Sequence, residues 1–275
     1  MSVAIDQWYH RRQKDAEGDF YRKIAGQSSQ NNFDSTTQGL FLAGADGKLL
    51  GFTNHRSPER VKAVLKDGLA RFTPAEAELL VNAKPDPNFS YKVPDGGLVL
   101  NVTSKVLAGQ DVSVSKDLTM FNESMGRDVL WTRKDENDAL ARGVFPESLK
   151  RRMALYTLID NTRGEPHPWD ATEVRKFEAT IKDGILTGTV HIETAKGDRG
   201  YKAELRGVVE AKDGKLTRLD LIARGDAWGA SGCTEVAKPK DKFTLAVAYR
   251  IATGRDEADK VMPQGAKAWF PEYMK

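Results

Sequence analysis

The sequence predicts an α+β protein. A short α/β segment comes first, then a mainly antiparallel β domain folded as a curved sheet, a sandwich or part of a barrel and covered by a helix. Three observations predict it. Apolar and polar residues alternate with period two through long runs between Glu173 and Ala252. Asp183-Gly184 and Asp213-Gly214 stand between such runs, and Asp-Gly suits a type I′ hairpin turn, which needs positive φ at both central residues. Pro146–Asp160 carries Leu149, Met153, Tyr156, Leu158 and Ile159 as a helical stripe, with Arg151 and Arg152 expected outside.

Taken in order, Ser2–Asp6 reads as a short strand. Gln7–Gln27 reads as one helix with Trp8, Phe20, Tyr21, Ile24 and Ala25 on its stripe. Gly18 weakens its middle by about 1 kcal/mol relative to Ala. His10, Arg11, Arg12 and Lys14 are expected on a solvated face. Ser28–Thr37 is loop-like. Gln38–Ala43 and Lys48–Thr53 form a hairpin through Asp46-Gly47. Ser57-Pro58-Glu59 starts a helix: Ser caps, Pro fits the first turn and Glu59 suits the positive end of the dipole. Val61, Val64, Leu65 and Leu69 are its apolar positions, and it runs to about Phe72. A short helix over Pro74–Val81 follows.

Ala83–Pro94 holds three prolines and reads as the linker, giving units of 1–83 and 84–275. Leu98–Val106 and Gln110–Val114 read as short strands. Gly126–Glu136 mixes a short apolar run with dense charge; Trp131 is expected in core packing or over Arg133. The strands from Glu173 onward place Phe177, Val190, Leu205, Leu221 and Val247 on one buried face. Ala211 is expected on that face as well. Gly188 and Gly207 within strands suggest bulges or sharp coiling.

The order strand, helix, loop, strand, Asp-Gly hairpin, strand, Ser-Pro-Glu helix resembles the later part of a thioredoxin-like domain. TTQGLFLAGADGKLLGFTNHRSPERVKAVLKDGL (residues 36–69) looks like that fold's last two strands and last helix. The resemblance covers about residues 2–72. The family's CxxC-bearing helix has no counterpart in this chain, and Thr37-Gln38 stands where the family has its cis-proline. The resemblance therefore implies a redox-inactive segment whose sheet edge near Val3 and Ile5 is exposed to a protein partner or a second copy. A thiol-redox protein with its CxxC upstream of the given start is the alternative. The whole sequence also resembles uncharacterised bacterial proteins that join such a segment to a β-rich C-terminal half.

Net charge is +3, from 42 basic and 39 acidic residues, too balanced for a nucleic-acid or membrane-surface partner. No run of 18 apolar residues exists. The default expectation is a cytoplasmic protein, or a periplasmic or secreted one if the N-terminus is truncated. Cys233 is the lone cysteine, so no internal disulfide or CxxC site forms. His10, His55, His167 and His191 are far apart in sequence, and no metal or cofactor is expected.

The densest chemistry lies in NTRGEPHPWD, Asn161–Asp170. Two prolines stiffen its backbone. Trp228 leaves a strand in GDAWGASGC and can reach the same sheet end as Trp169. A pocket between the indoles, floored by Arg163, Glu165 and His167, would let Glu165 and His167 act as acid and base and Arg163 hold an anion. Asn161, Arg163, Trp169 and Trp228 are the candidate ligand contacts. In the structural alternative the indoles plug the sheet end and the loop is a rigid connector. The function expected is therefore a non-catalytic binding or assembly protein, with a hydrolase- or lyase-type enzyme using Glu165 and His167 as the rival.

Overall fold

The computed structural model describes residues 5–55, 57–74, 84–109, 123–162, 166–230, 241–266 and 270–275. The fold is mixed α+β with mainly β content. The chain divides into two compact units, residues 1–91 and 92–275.

In the first unit, the stretch expected as one helix is two: α1 (Gln7–His10) and α2 (Ala16–Ala25). The break has a local cause. Asp15 turns extended and its carboxylate accepts the Gly18 amide at 2.9 Å, capping α2. Arg22 Nη1 gathers the carbonyls of His10, Arg11 and Gln13 at 2.6–3.3 Å, which holds the turn closed. A Cβ at Gly18 would stand 2.3 Å from the Gln13 carbonyl oxygen, so glycine permits this approach. Arg11 is not on a solvated face: it is buried, with its guanidinium 5.0 Å from the Trp8 ring.

The hairpin β1 (Leu40–Ala43) and β2 (Leu49–Thr53) pairs antiparallel as a two-stranded sheet, and α3 (Pro58–Ala70) packs on it. Pro58 opens α3 as expected, but the Ser57 hydroxyl makes no capping bond. Val61, Val64 and buried Gly68 occupy the packed side, whereas Leu65 and Leu69 are exposed. Ile5 is exposed and lies outside any strand; Val3 falls outside the described residues, as does nearly all of Pro74–Val81. The proposed linker is anchored at Asp86, which is buried against the start of α2.

The second unit is a seven-stranded antiparallel sheet of order β4-β3-β9-β8-β7-β6-β5. Its strands are β3 (Val99–Ala108), β4 (Gly126–Trp131), β5 (Val174–Lys182), β6 (Ile185–Glu193), β7 (Gly200–Lys212), β8 (Lys215–Trp228) and β9 (Lys242–Ile251). Both Asp-Gly turns take the expected form: φ is +51° and +75° at Asp183-Gly184, and +52° and +73° at Asp213-Gly214. Gln110–Val114 lies outside the described residues. Phe177 pairs with Val190, and Leu205 with Ala223 and in turn Val247, so the expected inner face is one face. Ala211 is exposed, at the end of β7 past a register shift at Glu210/Ala211 where β8 carries an extra residue. Gly188 and Gly207 mark close strand approach instead of bulges: a Cβ there would meet Glu178 O at 2.1 Å and Asp220 O at 2.4 Å.

The cover comprises α4 (Lys134–Ala141), α5 (Glu147–Arg152) and a π-helical turn, Met153–Thr157. That turn touches β4 and β5, the two opposite edges of the sheet. The sheet is therefore curled around the helical segment, which bridges the gap between its edges. Leu149, Met153, Ala154 and Leu158 are buried, and Thr157 Oγ1 lies 2.8 Å from Tyr249 Oη of β9. Arg152 does not lie outside, as its place in the sequence suggested. It is 1% exposed and pairs with fully buried Glu136 of α4. Trp131 is core, edge-on to Phe270 of α6 (Phe270–Tyr273) at 5.6 Å. Tyr273 Oη accepts the Trp131 amide at 3.2 Å, so the aromatic C-terminus packs back on the sheet.

Candidate functional site

Among the described residues of the second unit, the concave surfaces include two regions. The first is the sheet end where Trp169 and Trp228 meet. Trp169 is buried; its Nε1 donates to Leu158 O at 3.0 Å and its amide to Leu155 O at 2.9 Å. Arg199 lies over its ring at 3.8 Å and donates to the His167 backbone carbonyl at 2.8 Å. Trp228 ends β8 opposite Gly200 of β7, and its Nε1 donates to Gly197 O at 3.1 Å. A Cβ at position 200 would stand 2.1 Å from the Trp228 ring, so a glycine there lets the indole lie across β7.

The indoles line one cavity, with Asp160, Tyr201 and Phe243 among its other walls. Its volume is about 20 Å³, room for one water but not for a substrate. Asp160 accepts the Thr162 amide at 2.9 Å and hydroxyl at 2.7 Å. Burial pushes the Tyr201 phenol far above its ordinary pKa; its hydroxyl reaches Ala223 O at 3.0 Å and Leu245 O at 3.1 Å.

The expected residues thus separate. Trp169 and Trp228 do converge. Asn161 does not line the cavity; its amide donates to Arg127 O at 3.3 Å and ties the loop to β4. His167 is exposed and contributes no wall. Asp170 caps the Ala171–Glu173 turn, and hydrogen bonds from the Thr172 hydroxyl and amide hold its carboxyl below the usual range. Arg163 and Glu165 lie outside the described residues, as do Ser231 and Cys233. His191 pairs with Glu193 on its own strand at 3.3 Å.

The second region is a trough of about 550 Å³ over β6–β9, with almost entirely apolar walls. Its axis follows the paired row Leu186, Gly207, Leu221 and Tyr249, whose side chains other than glycine point into the core. The trough therefore lies on the opposite, outer face, between the two flanking rows. One row is Ile185, Val208, Asp220 and Arg250; the other is Thr187, Arg206, Ile222 and Ala248. Each row crosses four strands, about 14 Å at 4.8 Å per step. The sequence carried a faint signal for it: Ile185, Val208 and Ile222 are apolar residues at strand positions where alternation calls for polar ones.

Among the described residues, no three His, Cys, Asp or Glu side chains cluster as a metal site, and no helix is long and apolar enough to cross a membrane. Comparison with protein-family models, with curated proteins and with solved structures finds no match to this chain.

Proposed function

We propose that this is a non-catalytic binding protein whose curled sheet presents its outer trough to an apolar ligand, while the Trp169–Trp228 end is a structural closure. The observation that carries the reading is the trough itself. Its volume falls in the range of small-molecule sites, which run from about 300 to 1,000 Å³ and are mostly apolar. The closure reading is supported by the two indole N–H groups, both spent on backbone carbonyls, and by a cavity too small for a substrate. The first unit, in this reading, is a redox-inactive thioredoxin-like segment. Its hairpin followed by a helix packed on that hairpin supports the likeness.

The neutral apolar fluorophore N-phenyl-1-naphthylamine tests this. Its emission is expected to rise on binding the full chain, to fall to the free-dye level with Ile222→Glu, and to persist with His167→Ala. Equal emission from wild type and Ile222→Glu would overturn the trough reading. Loss with His167→Ala would return the site to the Trp169 end.

A further inference from the structure

The trough's polar groups point to the kind of ligand it takes. Four of its side chains form a continuous apolar strip running diagonally across the strands. Ile185 pairs with Val208, Ile222 pairs with Ala248, and Val208 lies diagonal to Ile222. Ile185 is 53% exposed and Ile222 40%, a poor use of isoleucine on a solvated sheet face. A strip this long and narrow suits a linear tail better than a fused-ring body.

Two guanidiniums flank the strip, Arg206 and Arg250. The walls are apolar even so, as they are where arginines line a groove with their methylene stems and keep their charges in water. The charges differ in how they are spent. Arg206 pairs with Glu204 at 3.3 Å. Asp220, the one carboxylate of the trough, pairs with Arg218 at 2.5 Å, and Arg218 also takes Glu210 at 2.8 Å. Arg250 is exposed, and its guanidinium makes no hydrogen bond or ion pair among the described residues. It stands two residues from Ala248 on β9, at one end of the strip, where the small alanine leaves space beside it. Its cross-strand neighbours are Asn101 of β3, which brings a neutral amide, and Asp220 of β8, whose carboxylate is held by Arg218.

We propose that the outer trough binds a free anionic amphiphile, a carboxylate on a linear apolar tail, with the tail on the Ile185–Val208–Ile222–Ala248 strip and the head at Arg250. This rests on the trough reading above and adds charge and polarity of orientation to it. A guanidinium takes a carboxylate in a two-pronged, charge-assisted bond, and the apolar strip beside it repays the desolvation of a tail. The arrangement does not call for an aromatic or a cationic ligand: Tyr249, the aromatic residue of the trough, is buried with its hydroxyl against Thr157, and the Asp220 carboxylate is already paired.

Calorimetric titration of the full chain with decanoate, with 1-decanol and with phosphatidylglycerol vesicles tests the proposal, in wild type, Arg250→Glu and Ile222→Glu. Both substitutions are at exposed positions, and circular dichroism checks that the sheet is intact. Decanoate is expected to bind at one site, at least about tenfold tighter than decanol, the equivalent of one charge-assisted hydrogen bond. Arg250→Glu is expected to remove that advantage and leave decanol binding unchanged; Ile222→Glu is expected to abolish both. Equal affinity for decanoate and decanol, or an unchanged decanoate affinity in Arg250→Glu, overturns the anionic assignment while the trough reading stands. Binding of neither ligand, or of both unaffected by Ile222→Glu, overturns the trough reading too. Binding to vesicles without binding of monomeric decanoate overturns a free ligand in favour of a membrane lipid.

Discussion

The Glu136 carboxylate and the Arg152 guanidinium form an ion pair closed to solvent, one from α4 and one from α5. Ser148 donates to the same carboxylate at 2.5 Å and the Arg133 amide at 2.9 Å. Arg152 also reaches Trp131 O at 3.4 Å, and its guanidinium carbon lies 5.9 Å from the Tyr273 ring. The pair thus joins the helical cover, strand β4 and the C-terminal helix at one point.

Removing Arg152 leaves the buried Glu136 charge to Arg133, whose guanidinium is 3.4 Å away and partly exposed. Arg152→Met is expected to cost about 3–5 kcal/mol in urea unfolding. Adding Glu136→Gln removes the stranded charge and keeps an acceptor for Arg133 and Ser148, so the double variant should recover about half of that loss. A double variant no more stable than Arg152→Met would show that the arginine acts through packing alone.

Three phenols set a limit at alkaline pH. Burial raises the pKa of Tyr201, Tyr249 and Tyr273 above the ordinary tyrosine value. The neutral form is the one the fold keeps. Below about pH 10 both states are protonated and the hydroxyls impose no pH dependence; above it the unfolded chain loses protons that the folded chain retains. Stability should therefore fall as pH rises past about 10, by about 1.4 kcal/mol per pH unit for each phenol. Tyr201→Phe with Tyr249→Phe should flatten the slope measured by denaturant titration. An identical slope in that variant would locate the alkaline limit elsewhere.

In the first unit, Asp15 and Asp86 make a reciprocal pair across 71 residues: the Asp86 amide donates to Asp15 at 2.8 Å, and the Lys14 amide donates to Asp86 at 2.7 Å. Burial pushes the Asp15 carboxyl up, but the amides of Gly18 and Asp86 and the Gln13 side chain outweigh it and leave the group below its usual range. The Lys14 amide, with Asn88, lowers Asp86 as well. Folded values below unfolded ones mean stability present above about pH 4 and lost as pH falls below it. Asp15→Ala should cost about 1 kcal/mol through the lost cap. Asp86→Ala should speed hydrogen exchange at the Lys14 amide; unchanged exchange would mean that 84–90 is held by other contacts.

Much of the second unit was legible before any coordinates. Strands β5 to β8 follow one another through the two-residue turns Asp183-Gly184 and Asp213-Gly214 and one six-residue loop, 194–199, so local alternation and Asp-Gly chemistry draw them. β4 and α4 were missed because their residues, Gly126–Trp131 and Lys134–Ala141, are short and charged, and their partners are remote: β4 pairs with β3, which pairs with β9. The sequence suggests a solvated Arg152 for the same reason. Its charge is local information, whereas Glu136, the residue that lets it be buried, lies 16 residues away on another helix.

The sequence by itself determined the antiparallel ribbons and their inner apolar face, because period-two alternation and turn chemistry act between neighbours in the chain, and it allowed Trp169 and Trp228 to reach one sheet end, where the structure brings them together. Tertiary structure alone decided that the indole end encloses a cavity of only about 20 Å³ and that a trough of about 550 Å³ lies on the other side of the sheet. Ile185, Val208, Ile222 and Ala248 come from four strands, and the register that sets them edge to edge, with Arg250 at their end, exists only once the strands are paired.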